Sequence, residues 1–384
     1  MRIVYICYSI IPSRSANSIQ VMKMCQAFAR QGHKVLLIAP NRTGELDDGR
    51  GENVYSYYGI SNCFDIIRLP MLSFKGRKTL YGVMSAIKAK QFNPDLVYGR
   101  FLQGCYYSAL IGLSVAYEIH KPLKGKSGEE MLYKMLNKRN LLKLVAITRA
   151  LGNFYRDKYD LIEGKLKIAP DAADPPSVFH QYNKNNQSNR PKAGYAGHLY
   201  PGKGMELISE MVKRCPQVDF HIVGGTEKDI MYWKDHLKSY GNVIFHGFVS
   251  HSMIGRHLQA FDILLAPYQE KVLSYGGGST DISRWMSPLK LFEYMAACKP
   301  IISSDLPVLR EVIKNDENAI LCPPNDIDSW ENALTLLIKD PDYAKKLAVN
   351  AYSDFMKYYT WDVRVNNILS SIESIRNKLK TKQG

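Results

Sequence analysis

The sequence has no run of about 18 apolar residues, so no membrane-spanning helix is expected. Its start, MRIVYICYSI, lacks the basic n-region and small-residue cleavage site of a secretory signal and reads as a buried first strand. No two of the seven cysteines are spaced C-x-x-C, and their number is odd. Neither a disulfide framework nor a zinc site is therefore expected, and most of the thiols lie in apolar runs as buried residues suited to a reducing compartment. There is no Walker A sequence and no G-x-G-x-x-G fingerprint. Acidic residues are scarce as well: 36 Asp and Glu face 51 Lys and Arg, a net charge of +15.

The positive charge is uneven. Lys75, Arg77, Lys78, Lys88 and Lys90 occur in residues 75–90 without one acid, and residues 121–167 carry a net +7. These basic residues alternate with Leu, Met, Phe and Tyr, as in FKGRKTLYGVM and MLYKMLNKRNLLKL. Two readings stay open, a plain solvated face and an amphipathic surface resting on anionic lipid, where each basic residue contributes about 1 kcal/mol. No nucleic-acid motif accompanies the charge, so no nucleic-acid partner is expected. The expected location is cytoplasmic, peripheral on the inner face of the membrane.

At 384 residues the chain can hold two domains of roughly 100–200 residues each. Short β-rich runs alternate with amphipathic segments: strands at 2–8, 34–39, 63–69, 96–98, 113–118, 144–147 and 166–169, and a helix at 18–30 stopped by Gly32. A polar, Asn-rich stretch at 180–192 reads as a linker. The alternation then restarts, with strands at 193–196, 219–223, 243–245, 263–265, 300–303 and 319–321. Helices are expected at 205–214, 228–240, 252–260, 288–297, 328–339 and 361–378. Strands separated by helices predict an α/β fold with parallel sheets, in two domains facing a central cleft. Ligands of such sheets bind outside the carboxyl ends of the strands.

Several segments could carry chemistry. The loop 197–204 (GHLYPGKG) lies between a strand and a helix, where glycines admit a ligand to the backbone and free N–H groups suit phosphate. The segment 287–297 (SPLKLFEYMAA) opens a helix with Ser287 as N-cap and Pro288 as first residue, and places Glu293 where it could accept from ribose hydroxyls. The glycine run 275–280 (YGGGST) is either a mobile loop or a spacer. His120 ends a strand, where it could donate a hydrogen bond or proton, and Glu118 shares its face and could orient the imidazole. Asp326-Ile327-Asp328 and Asp340-Pro341-Asp342 look like metal-binding strings but are better explained as helix N-caps, so no metal is assigned.

Taken in order, LVAITRAL, IAPDAAD, the Gly-His-Leu…Lys-Gly loop, NVIFHGFVS, FDILLAP and SPLKLFEYMAACKPIISSD resemble the retaining glycosyltransferases of family 4, the glycosyl transferases group 1, over nearly the whole chain. The resemblance implies the GT-B fold, two Rossmann-like parallel-sheet domains. Residues 1–182 would bind the acceptor, residues 190–354 the nucleotide sugar, and a C-terminal helix at 355–380 would pack back on the first domain. It implies that Lys203 holds the donor diphosphate and Glu293 the ribose, with Gly197, His198, Ser287, Leu289 and Lys290 near phosphates and sugar. Gly247, Phe248 and Val249 would flank the base, and Asn17 and Ser18 would approach the phosphates from the first domain. His120 would stand by the transferred sugar, with Arg100 and Glu118 on the acceptor side. No cofactor and no metal are implied. The nucleotide sugar is substrate, a UDP-sugar ahead of a GDP-sugar, and the acceptor a glycan or polyprenyl-linked chain of cell-surface polysaccharide synthesis.

Three positions depart from the family pattern. His198 stands where an Arg is frequent, Trp285 stands where the first of two paired Glu is expected, and Ser15-Ala16-Asn17-Ser18 replaces paired glycines. Two other functions therefore remain in view, a nucleotide-sugar epimerase of the same fold and a nucleotide-sugar-binding protein without turnover.

Overall fold

A computed structural model describes residues 1–41, 53–161, 164–176, 190–274 and 278–381. Most of the Asn-rich stretch and residues 275–277 of the glycine run lie outside the described residues. The chain forms two compact units, Met1–Asp171 with Trp361–Gly384, and Ala172–Thr360. The first crossing falls at residue 171, upstream of the Asn-rich stretch. The reason is local: Ala173 already pairs with Thr360 in a parallel bridge, and its N–H donates to the Tyr359 carbonyl.

In the first unit the elements run β1 (Arg2–Ile6), α1 (Ala16–Arg30), β2 (Lys34–Asn41), α2 (Val54–Tyr57), β3 (Asp65–Pro70), α3 (Arg77–Phe92), β4 (Leu96–Gly99) and α4 (Leu102–Leu110). They continue with β5 (Val115–Ile119), α5 (Lys126–Leu136), β6 (Leu141–Ala146), α6 (Arg149–Tyr159) and β7 (Leu166–Ile168). The sheet order is β3-β2-β1-β4-β5-β6-β7, all parallel. The inner strands are buried on both faces because helices cover both, with β5 and β6 buried along their whole length, while the edge strands β3 and β7 are partly exposed. Helix α1 starts two residues earlier than the apolar period suggests, because the Ser15 hydroxyl caps it by accepting from the Ser18 N–H. Gly32, at φ +79°, ends it.

The second unit comprises β8 (Lys192–Ala196), α7 (Met205–Arg214), β9 (Asp219–Val223), α8 (Glu227–His236), β10 (Val243–Gly247), α9 (His251–Gln259) and β11 (Ile263–Ala266). There follow β12 (Leu273–Ser274), β13 (Gly278–Asp281), α10 (Leu289–Ala296), β14 (Ile301–Ser304), β15 (Ile320–Cys322), α11 (Ile327–Lys339) and α12 (Pro341–Tyr358). The six-stranded parallel sheet has the order β10-β9-β8-β11-β14-β15, and β12 and β13 form a small antiparallel hairpin. Strand alternation sorts the core into two layers. Ala193, Tyr195, Phe220, Ile222, Ile263 and Leu265 pack with α7, α8 and α11. Ala196, Val223, Leu264 and Ala266 pack with Leu291, Phe292 and Met295 of α10 and Ala351 and Phe355 of α12. Each fully buried Val, Leu, Ile, Phe or Met among them contributes roughly 1.5–3 kcal/mol.

Helix α13 (Trp361–Thr381) returns to the first unit and packs on α1. Its buried face carries Trp361, Val365, Ile368, Leu369 and Ile372 at helical spacing. Arg364 lies on the same face and is 3% exposed, a charge in an otherwise apolar stripe.

Candidate functional site

Strand order reverses in the second unit at β8, which has β9 on one side and β11 on the other. The carboxyl ends of β8 and β11 are therefore the switch point at which an open α/β sheet receives its ligand. The glycine loop leaves β8 there. At Gly204 (φ +100°) a Cβ would lie 2.0 Å from the Pro267 carbonyl oxygen, so only glycine lets the loop approach β11 this closely. At Gly197 (φ +149°) a Cβ would meet the Lys290 Nζ at 2.8 Å. The loop is thus shaped around a lysine of α10.

Lys290 is 9% exposed, and its Nζ has no hydrogen-bond acceptor among the described residues. It rests 3.8 Å from the centroid of the Tyr195 ring and 5.1 Å from that of Tyr268. The Lys203 ammonium stands 5.3 Å from the centroids of Tyr200 and Tyr268. Burial, and then the charge of Lys203, push the Lys290 ammonium well below its usual range, with Glu293 pulling partly back. Burial pushes Lys203 down to about 8. Two neighbouring cations held against aromatic faces call for an anion.

The helix ends agree. Neither α7, which opens at Gly204, nor α10 has a side-chain cap. Pro288, not Ser287, occupies the N-cap position of α10, and the helix begins at Leu289, because Pro288 is extended at ψ 122°. Helices α8, α11 and α12 instead receive caps from Thr226, Asp326 and Asp340. Those two aspartates open the two Asp-x-Asp strings, whose role in the fold is helix capping, and Asp328 pairs with Arg214.

Glu293 lies one turn beyond Lys290, on the same side of α10. Its Oε1 is 3.6 Å from the Nδ1 of His251, a long-range ion pair rather than a hydrogen bond. The Gly247 carbonyl accepts from the Gly224 N–H at 2.7 Å, and a Cβ on Gly224 would meet the Gly197 oxygen at 2.3 Å. Backbone at Gly197, Gly224 and Gly247 thus lies side by side at the carboxyl ends of β8, β9 and β10. Beyond it Phe248 is exposed and Val249 packs on the core. His198 stacks on Tyr200, and its carbonyl accepts from the Tyr195 hydroxyl. At the departing position, Trp285 lies under the Arg284 guanidinium, 5.3 Å from the ring centroid. Asp281 accepts from the Val272 and Ser283 N–H groups and is committed to the hairpin.

A second polar cluster forms in the first unit, at the carboxyl end of β5. His120 Nε2 is 2.6 Å from Glu118 Oε1, and the imidazole is 18% exposed. Glu118 is 1% exposed, so it is a buried partner of His120 rather than a surface for an acceptor. The Gln20 amide donates to Oε1 at 2.6 Å, and the Tyr98 hydroxyl and the Arg364 guanidinium (3.1 Å) donate to Oε2. Burial alone would raise the Glu118 carboxyl, but Arg364 above all, then His120 and Arg100, hold it well below the usual carboxylate range. Burial and the Arg100 charge lower His120, against the pull of Glu118. The imidazole is then neutral near pH 7. An ionised carboxylate only accepts, so the single N–H sits on Nε2 and Nδ1 is a hydrogen-bond acceptor. In this arrangement the donor of His120 is spent on Glu118, and Nδ1 is the atom left to face a ligand.

Arg100 donates to Gln20 at 2.8 Å and so touches the same network. Asn17 is exposed and accepts from the Ser9 hydroxyl at 2.7 Å. Ser18 is fully buried, and its hydroxyl is held by the Ser13 and Ser15 carbonyls, so its side chain serves the turn and not a ligand. Glu118, His120 and Asp171 have metal-ligand spacing. The Arg364 guanidinium, 3.1 Å from Glu118 and 3.9 Å from Asp171, is already the cation among them. Arg364, Gln20, Tyr98, Tyr195, Tyr268 and His251 escaped the sequence reading. Only Arg364 carried a signal, a charge on the apolar stripe of its helix.

Comparison with known proteins gives this geometry its setting. The family model of the glycosyl transferases group 1 matches residues 179–354. An uncharacterized glycosyltransferase of Methanocaldococcus jannaschii, MJ1607, is 25% identical over 363 residues, covering 88% of this chain and 89% of its own. The phosphatidyl-myo-inositol mannosyltransferase of Mycobacterium leprae is 27% identical over 180 residues, 46% of this chain and 44% of that one. The chain thus spans less than half the length of the mycobacterial relative. Among solved structures, Anabaena Alr3699/HepE in complex with UDP matches at a TM-score of 0.73 and 16% identity, over 97% of this chain and 100% of that one. The fold is that of the GT-B proteins, built from two Rossmann-like units, and the segment 179–354 belongs to the glycosyl transferases group 1.

Proposed function

We propose that the chain is a retaining glycosyltransferase that moves a sugar from a nucleotide-diphosphate sugar to a glycan or lipid-linked acceptor in cell-surface polysaccharide synthesis. The carrying observation is the Lys290 ammonium, buried without a hydrogen-bond acceptor among the described residues and backed by Lys203 at the β8/β11 switch point. A diphosphate supplies the missing counter-charge. Lys203, Lys290 and the first turns of α7 and α10 would hold it, and would stabilise the charge that develops as the diphosphate departs. That role needs no metal. Glu293 would take the ribose hydroxyls and the backbone around Gly247 would flank the base, a uracil ahead of a guanine. UDP bound by the Anabaena protein supports that order. His120 would accept a hydrogen bond from a hydroxyl of the transferred sugar through Nδ1.

The acceptor hydroxyl would attack on the face the diphosphate leaves, with a diphosphate oxygen taking its proton. A lipid-linked acceptor agrees with the basic, apolar face of the first unit and with the phosphatidyl-inositol substrate in the name of the mycobacterial relative. Among the described residues no helix is long and apolar enough to cross a membrane, so the contact would be peripheral.

The test is transfer and donor hydrolysis with a panel of nucleotide sugars, using the intact chain and its Lys203→Ala and Glu293→Ala forms. Both substitutions are expected to lower kcat/KM at least 10-fold, and unchanged rates in both would sink the assignment. An epimer formed without acceptor would mark an epimerase. Tight binding with no turnover on any acceptor would mark a binding protein.

A further inference from the structure

We propose that Arg364, on the C-terminal helix and outside the segment matched by the family model, is a positioning residue that fixes the charge and tautomer of His120 through Glu118. The proposal uses the transferase reading only for what His120 does; the coupling itself is measured without substrate.

The connection is continuous. One guanidinium nitrogen of Arg364 donates to Glu118 Oε2 at 3.1 Å, and the opposite carboxylate oxygen faces His120 Nε2 at 2.6 Å. The other nitrogens are anchored: Nε donates to the Pro170 carbonyl at 2.7 Å and Nη2 to the Ala169 carbonyl at 3.1 Å. The guanidinium therefore cannot swing away from Glu118 without breaking two backbone bonds. Arginine suits the place because its planar fork reaches carboxylate and both carbonyls at once and never deprotonates.

Arg364 sits at the end of a helix whose neighbouring buried positions are Trp361, Val365 and Ile368. Packing alone would be served by an apolar residue, and a buried ion pair brings little net stability. What the charge does bring is a Glu118 that stays ionised while fully buried. An ionised Glu118 can only accept, which forces the His120 proton onto Nε2 and leaves Nδ1 as the free acceptor. A protonated Glu118 would reverse that assignment.

The charged and titratable groups around His120 are Glu118 on its own strand, Arg100 after β4, Asp171 after β7, Arg364 on α13, and the hydroxyl of Tyr98 on β4. The two carboxylates and two guanidinium groups oppose one another, and burial, the largest influence, keeps the imidazole neutral. Removing Arg364 takes away the largest charge that holds Glu118 ionised, so the hydrogen-bonded Glu118–His120 pair takes up a proton more readily and shares it, which the imidazole reports.

The test is the titration of His120 by ¹H–¹⁵N NMR in the intact chain, in Arg364→Met and in Arg364→Lys, with no ligand present. The His120 pKa is expected to rise by on the order of one unit in Arg364→Met and to return most of the way in Arg364→Lys. The ¹⁵N shifts of the unsubstituted protein are expected to report the Nε2–H tautomer. Equal titration in all three proteins, or an Nδ1–H tautomer in the unsubstituted protein, would overturn the proposal. Should Arg364→Met not fold, Arg364→Gln, which keeps donors without the charge, replaces it in the titration, and the tautomer measurement on the unsubstituted protein is independent of both. In the transfer assay the acid limb of kcat against pH should move up with the NMR value. A transfer assay that fails while the NMR coupling holds would count against the transferase reading and not against Arg364.

Discussion

The Lys290 ammonium lies 3.8 Å from the centroid of the Tyr195 ring, and the Gly197 backbone passes so near that an added Cβ would come within 2.8 Å of the same nitrogen. A cation placed in that way is costly to the free protein. Even a buried ion pair replaced by apolar chains of similar volume is often neutral or stabilising by roughly 1–4 kcal/mol, and the Lys290 ammonium lacks a hydrogen-bond acceptor among the described residues. Lys290→Met is therefore expected to raise the melting temperature of the ligand-free chain by several degrees. It should also abolish the stabilisation given by a nucleoside diphosphate, which in the unsubstituted protein follows RT ln(1 + [L]/Kd). Differential scanning calorimetry with and without UDP measures both. A lower melting temperature with the UDP shift intact would refute the role given to Lys290.

Lys203 makes a pH prediction. Its folded value is about 8 against an ordinary 10.5, so between those values the unfolded chain binds the extra proton and stability rises with pH. Below about 8 the full penalty of the buried charge is present, and above 10.5 it is gone. Ligand binding runs the other way, because a diphosphate prefers the charged amine. UDP affinity should fall as pH rises through 8, while the unfolding free energy of the free protein rises. Lys203→Met should flatten both slopes in that window. Isothermal titration calorimetry and urea unfolding from pH 7 to 10 read the two effects separately.

These two lysines also mark how far the sequence could be read. Gly197, Lys203, Lys290 and Glu293 were legible because a strand, a glycine loop and a helix start follow one another in the chain, and the sheet gathers them at one switch point. Most strands were legible as β-rich runs between amphipathic segments. Boundaries moved where a cap competes with the period: Ser15 starts α1 early, and Pro288 displaces Ser287 from the cap of α10. The balance of charges in the first unit was not legible. Glu118 and His120 are two residues apart, but Gln20, Tyr98 and Arg364 reach them from distant strands and helices, and no local pattern announces such a meeting. The pairing of Glu118 with His120 is legible from their spacing on one strand, but its burial and its other partners are not.

The glycine loop offers a contrast between two substitutions of the same kind. In Gly204→Ala the new methyl group meets the Pro267 carbonyl at 2.0 Å, a rigid backbone atom, in a left-handed conformation. The loop cannot keep its path, and a loss of more than about 2 kcal/mol in stability is expected. Gly197→Ala also meets a positive φ, at +149°, but its nearest obstacle is the end of the Lys290 side chain, which can move where the Pro267 carbonyl cannot. That variant should remain folded yet bind UDP at least 10-fold more weakly, since the ammonium is displaced from its seat. Urea unfolding and calorimetric UDP titration on both variants test the pair. Equal loss of stability in the two would contradict the distinction between backbone and side-chain obstacles.

The basic face of the first unit gives the last prediction. From Ile66 to Asn93 there is no acidic residue, and the segment into and along α3 exposes Leu72 (59%), Phe74 (45%) and Ile87 (52%) among Lys75, Arg77, Lys78 and Lys88. Such a mixture suits an anionic bilayer surface, where hydrocarbon burial and charge attraction add. At about 1 kcal/mol for each basic residue, removing three of them should weaken binding roughly 100-fold. Lys75→Ala/Arg77→Ala/Lys78→Ala is thus expected to lose sedimentation with vesicles of phosphatidylglycerol and phosphatidylcholine while keeping its melting temperature. Phe74→Ser should weaken binding less and make what remains more sensitive to salt, because the surviving attraction is screened over about 8–10 Å at 0.1–0.15 M ionic strength. Sedimentation of the unsubstituted chain at the same level with neutral vesicles would show that the face is a solvated surface and nothing more.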